Sequence, residues 1–135
     1  MIIEVKKSDV YIPDYKGNLK LSEGEQIRVN HRFTTPGEKK KYFYTQNMKV
    51  DKITGEYNRD VESVMDLAGL TKAIVTSIDN YSLKKGKQTI KIDTVDKLYN
   101  TEGVDPVLVA RIETGMLIAS PEVDADFLSQ PSPST

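Results

Sequence analysis

His31 is the only histidine of the chain, and cysteine is absent. Any nucleophile–base pair must therefore be built on one imidazole or without one. A Ser-His-Asp arrangement needs that imidazole as its base. Yet His31 falls within Glu25–Phe33, where Ile27, Val29, His31 and Phe33 alternate with Arg28, Asn30 and Arg32. In phase with apolar neighbours, it reads as a partly buried structural histidine on a half-buried strand. One histidine among scattered carboxylates has no metal-ligand spacing, and the lack of thiols removes Cys nucleophiles, thiolate ligands and disulfides together.

The carboxylates read as structural. Asp60, Glu62 and Asp66 open an expected helix, where negative charge offsets the helix dipole. Asp124 and Asp126 fall in an acidic, proline-rich tail. Asp51-Lys52-Ile53-Thr54-Gly55-Glu56 lacks the alternating oxygen ligands and spaced glutamate of a calcium loop. The glycines are scattered singly, so neither a dinucleotide fingerprint nor a P-loop is present. These residues predict a protein without catalytic residues, metal or cofactor.

Two lysine clusters could meet phosphate: Lys39, Lys40 and Lys41 beside Tyr42, Phe43 and Tyr44, and Lys84, Lys85 and Lys87 near Tyr81 and Lys91. Lysine beside an aromatic ring suits a nucleobase stacked over a neutralised backbone. The opposing reading is a solvated helix face and a charged hairpin. With 19 Lys and Arg against 20 Asp and Glu, the global field does not draw the chain to nucleic acid or to an anionic membrane. A nucleic-acid partner is therefore the minority expectation.

Local periodicity and caps place these residues on elements. Thr35-Pro36-Gly37-Glu38 is a helix start with a cap, a first-position proline and a capping-box glutamate, and it predicts a short helix through Tyr44. Lys49 to Tyr57 reads as a loop. Val61, Val64, Met65 and Ala68 follow i, i+3, i+4, i+7, one face of a helix opening at Asn58 or Asp60. Ala73 to Ile78 is ambiguous between helix and strand, and Asp79 to Gln88 is a loop or hairpin. Thr94 caps a brief helix. Asp105-Pro106 opens the best-defined one, with Leu108, Ile112, Gly115 and Met116 on one stripe and Ser120-Pro121 as its stop.

At 135 residues one domain is expected. The pattern predicts an α+β fold, with a small antiparallel sheet or hairpins and three to four short helices over residues 1–120. A flexible tail is expected over 121–135. No apolar run reaches the length of a signal peptide or of a membrane span, which predicts an unprocessed, soluble chain. The two stripes, Val61, Val64, Met65 and Ala68 with Leu108, Ile112 and Met116, are the expected partner-binding surface, and self-association is a further expectation.

Two stretches carry a resemblance. Val10-Tyr11-Ile12-Pro13, Gly17-Asn18 and Leu21 to Val29, followed by Thr35 to Lys39, resemble the opening of small proteins encoded among tail genes of tailed bacteriophages and prophages. Ile74 to Ile92, with Asp79-Asn80 and Gly86, then Leu98 and the 105–119 helix, is similar to a later pattern of the same proteins. The similarity spans most of residues 10–119 and carries no active-site residue; the basic loop Lys84 to Lys87 departs from the pattern. Such proteins are grouped with tail assembly chaperones. The resemblance therefore implies transient binding to a tape-measure or tail-tube protein in the host cytoplasm. The alternatives are a structural virion component, such as a head–tail connector or minor tail protein, and a small DNA-binding phage regulator.

Overall fold

The computed structural model describes residues 1–45 and 63–123. Its centre is a three-stranded antiparallel sheet of β1 (Ser8–Tyr11), β2 (Arg28–Arg32) and β5 (Val75–Asp79), with β2 in the middle. The alternation in β2 sorts as expected. Val29 and His31 are buried, while Arg28, Asn30 and Arg32 face the wetter side. On that side Asn30 Nδ2 donates to Ser77 Oγ at 2.9 Å and to Asp79 Oδ2 at 3.0 Å. The pairing shifts register between Asn30 and His31, and Thr76 Oγ1 donates to the Asn30 carbonyl there, which holds the irregularity closed.

The expected cap forms in α1 (Pro36–Lys40): Thr35 Oγ1 accepts from Glu38 N at 3.1 Å. The reciprocal half of the box is replaced. The Glu38 carboxylate takes a two-point contact from Arg32, at 2.8 and 2.7 Å, which ties α1 to the end of β2.

The helix does not extend to Tyr44. Phe43–Thr45 is a strand (β3), antiparallel to Ser63–Met65 (β4). The 61–68 stripe is corrected with it. Val61 lies outside the described residues, Val64 and Met65 sit on β4, and Ala68 belongs to α2 (Leu67–Ile74). The spacing fitted a helix, but Asp66 caps one that starts later, accepting from Gly69 N at 2.9 Å. Its own N–H donates to the Tyr42 carbonyl, continuing the β3–β4 pairing. The expected loop over 49–57, Asp60 and Glu62 lie outside the described residues.

At Ile74 the chain passes directly from α2 into β5, where Val75, Thr76 and Ile78 supply the β-branched run. A hairpin follows, β6 (Ser82–Lys85) and β7 (Gln88–Lys91), turning at Gly86 with φ 60°. Two helices complete the chain, α3 (Val95–Asn100) and α4 (Pro106–Ile118), each opened by the cap read from sequence, Thr94 and Asp105. The fold is α+β.

The core lies between sheet and helices. Leu108, Ile112 and Met116 of α4 cluster with Ile74 of α2, Leu98 of α3, Val29 and Ile78 of the sheet, and Ile92. Gly115 lets α4 approach β1: a Cβ there would stand 2.6 Å from the Tyr11 ring. Beyond α4, Pro121–Val123 does not leave the domain as tail. Lys6 N donates to the Pro121 carbonyl and Val123 N to the Glu4 carbonyl, with a bridge between Val5 and Glu122. The expected boundary at 120 moves past Val123. Residues 124–135 lie outside the described part.

Candidate interaction surfaces

His31, the one residue able to anchor a triad, is 3% exposed. Its Nδ1 donates to the Arg32 carbonyl at 2.9 Å, and its ring meets Phe33 edge-on, 5.2 Å between centroids. Both are internal structural contacts. Among the described residues no three His, Asp or Glu side chains converge as metal ligands.

A depression of about 790 Å³ is lined by Glu23, Arg28, Asp79, Asn80, Lys91 and Asp93 among others. Its carboxylates are already engaged. Glu23 faces Arg28 at 3.5 Å, Asp79 accepts from Asn30, and Asp93 accepts from Lys97 at 2.9 Å. The Lys97 hydrogen bond holds the Asp93 carboxyl below its ordinary value. A carboxylate so paired is a poor proton acceptor near neutral pH.

A smaller hollow of about 350 Å³ lies between α3 and α4, with Leu98, Val104, Pro106 and Val109 beside a Tyr99–Glu113 pair. Tyr99 donates to Glu113 at 2.7 Å, and the Lys72 ammonium stands 5.0 Å from its ring centroid. Burial first, then the Glu113 carboxylate, push the Tyr99 phenol up.

The residues expected to bind a partner are placed differently from that expectation. Leu108, Ile112 and Met116 are core, at most 3% exposed. Met65 and Ala68 are half-buried on two different elements. Among the described residues, no continuous exposed helical groove unites the two stripes. The periodicity correctly marked an apolar face on α4, but the domain's own sheet and α2 cover it.

The apolar surface left in water is elsewhere. Ile2 is 100% exposed, Val5 62% and Ile118 73%, with Met1 and Ile3 also exposed. Met1, Ile3 and Val5 alternate with Ile2, Glu4 and Lys6, as in a strand with one apolar face. Backbone pairing of Glu4–Lys6 to Pro121–Val123 holds this arm beside the segment that leaves α4, where Ile118 is the last helical residue. An isoleucine or valine kept in water forgoes about 1.5–3 kcal/mol, so several together form a surface suited to a partner. The sequence signal was the alternation at Ile3 and Val5; their exposure was not legible.

The lysine clusters separate. Lys39 Nζ donates to the Leu117 carbonyl at 3.1 Å and anchors α1 to the end of α4. Lys40 and Lys41 are exposed at the end of α1. Lys84, Lys85 and Lys87 surround the hairpin tip, exposed and in no ion pair among the described residues. Of the aromatics expected beside them, Tyr81 is buried in the core, whereas Phe43, next to the first cluster, is 51% exposed.

No helix among the described residues is long and apolar enough to cross a membrane. No protein-family model, no curated protein and no solved structure matches this chain.

Proposed function

We propose that this domain is a non-catalytic binding protein of bacteriophage tail morphogenesis, similar to tail assembly chaperones, that engages a tape-measure or tail-tube protein through its N-terminal arm. The observation that carries the binding role is the run of exposed apolar side chains Met1, Ile2, Ile3 and Val5, with Ile118 exposed at the end of α4. The resemblance of residues 10–119 supplies the class of partner. A short extended apolar strand is suited to adding to a partner's sheet edge, where main-chain hydrogen bonds give affinity and alternate side chains give selectivity.

Co-expression with the tape-measure protein of the same phage tests this reading. A soluble complex is expected on size exclusion, and Ile3→Asp with Ile118→Asp is expected to dissolve it while leaving the circular dichroism spectrum unchanged. A complex indifferent to both substitutions discards the arm, and no complex with tape-measure or tail-tube protein discards the class of partner. Mass spectrometry of purified virions separates a chaperone, which leaves, from a structural subunit, which stays.

A further inference from the structure

We infer that the β6–β7 hairpin is a docking prong for double-stranded DNA that neutralises phosphates along a groove without reading sequence. Residues 82–91 hold four lysines and no acid. Register sets where the charges point. Ser82 opposes Lys91 and Lys84 opposes Thr89, so these four share one face of the ribbon; Leu83, Lys85, Gln88 and Ile90 share the other. Lys87 lies in the turn beside Gly86. Leu83 and Ile90 pack the base of the second face against the core, so the ribbon carries cations on its open face, at the outer end of the other beside Gly103, and at its tip.

That distribution chooses the occupant. An acidic peptide laid on one face would meet only part of the charge. A duplex groove has a phosphate wall on either side, and the B-DNA major groove, about 12 Å wide, admits a two-stranded ribbon. The A-form groove of duplex RNA is too narrow for one. Single strands are held by stacking on aromatic rings, and the hairpin has none. Lysine and hydroxyl groups (Ser82, Thr89) are phosphate contacts, and Gln88 is its one side-chain amide. The neighbouring acids lie at the base and on one flank: Asp93 near Lys91, and Glu102 next to Gly103, over which the Lys85 stem lies. The effective charge is therefore that of Lys84, Lys85 and Lys87, on a chain whose net charge of -1 confines the attraction to this prong.

Fluorescence anisotropy of a labelled 20-base-pair DNA duplex, titrated with the full chain at 20 to 200 mM salt, tests the inference. Three neutralised phosphates give a log–log salt slope of about −2.7, a loss of about 40-fold between 50 and 200 mM. The K84Q/K85Q/K87Q variant is expected to lose both affinity and slope, and K84R/K85R/K87R to keep them; K40Q/K41Q should bind within about twofold of the parent. No binding at tens of micromolar in 20 mM salt overturns the inference, as does full binding by the glutamine variant. Polyglutamate displacing the duplex charge for charge reassigns the prong to an acidic polypeptide and overturns it, and equal affinity for a single strand overturns the groove. Should the glutamine variant fail to fold, the salt slope of the parent still decides, because a slope near zero is incompatible with phosphate neutralisation.

Discussion

Tyr15 donates its hydroxyl to Asp105 Oδ2 at 2.6 Å, across ninety residues of sequence, while the other oxygen of that carboxylate caps α4 by accepting from Val107 N at 2.9 Å. One carboxylate therefore closes the N-terminal turn onto the start of the last helix. The Tyr15 hydrogen bond, the Val107 N–H and the nearby Lys16 cation hold the Asp105 carboxyl below its ordinary 3.8. Burial, with the Asp105 hydrogen bond and charge, pushes the Tyr15 phenol up to about 12. A depressed carboxyl stabilises the fold above its unfolded value and loses that contribution as pH falls below it. A raised phenol does so below pH 10 and loses it as pH rises from 10 toward 12. Tyr15→Phe is expected to lower stability by about 1 kcal/mol at neutral pH. The difference from the parent should narrow below about pH 4. Thermal unfolding across pH measures it, and the tyrosinate absorbance near pH 12 should lose one phenol in the variant.

Asn18 does comparable work at shorter range. It is 2% exposed. Its Nδ2 donates to the Pro13 and Ile27 carbonyls at 3.0 and 3.1 Å, and its Oδ1 accepts from Ile27 N at 2.7 Å. The chain from Pro13 to Ile27 closes on this one amide. Asn18→Asp replaces the donor by an acceptor facing two carbonyls, so the side chain must protonate or break the contacts. Urea unfolding at pH 7 is expected to show a loss of about 3 kcal/mol, diminishing toward pH 4 as the carboxyl protonates. A loss that does not vary with pH would refute the amide's donor role.

Much of the fold was legible where the signal is local. Asp105-Pro106 and Thr94 marked α4 and α3 because a cap and a first-position proline act within one turn. The alternation from Ile27 to Phe33 marked β2. The segment from Val61 to Ala68 misled because apolar residues at 61, 64, 65 and 68 fit a helix, whereas Ser63–Met65 is a strand held by Phe43–Thr45, some twenty residues away. The roles of Asn18 and Tyr15 were not legible, because their partners are nine and ninety residues off. The exposed apolar surface was the least legible. Periodicity identifies an apolar face, but what covers Leu108 and Ile112, and what leaves Ile2 and Ile118 bare, is decided by tertiary packing.

Gly115 and Gly37 give opposite expectations for one substitution. Both lie in helices, where alanine is favoured by about 1 kcal/mol. A Cβ at Gly37 meets nothing within 4 Å, while at Gly115 it lies 2.6–2.7 Å from the Tyr11 ring. Gly37→Ala should raise the unfolding midpoint slightly. Gly115→Ala must push α4 off β1 and should cost about 1–3 kcal/mol despite the better propensity. Trimming the ring with Tyr11→Ala should reverse the sign of Gly115→Ala, a coupling that a double-mutant cycle measures.

Met116 and Ile118 are two residues apart on α4, 3% and 73% exposed, and an aspartate at each separates folding from binding. A carboxylate at Met116 would be buried in the apolar cluster of Leu108, Ile112 and Val29. A charge in such a site shifts its protonation or unfolds the domain, so Met116→Asp is expected to cost at least about 3 kcal/mol and to fail as a probe of any interface. At Ile118 the same charge enters water. The circular dichroism spectrum and unfolding midpoint of Ile118→Asp should match the parent within about 0.5 kcal/mol, and only partner capture should fall. A folded, stable Met116→Asp would place that stripe on an open surface after all and return the interface to α4.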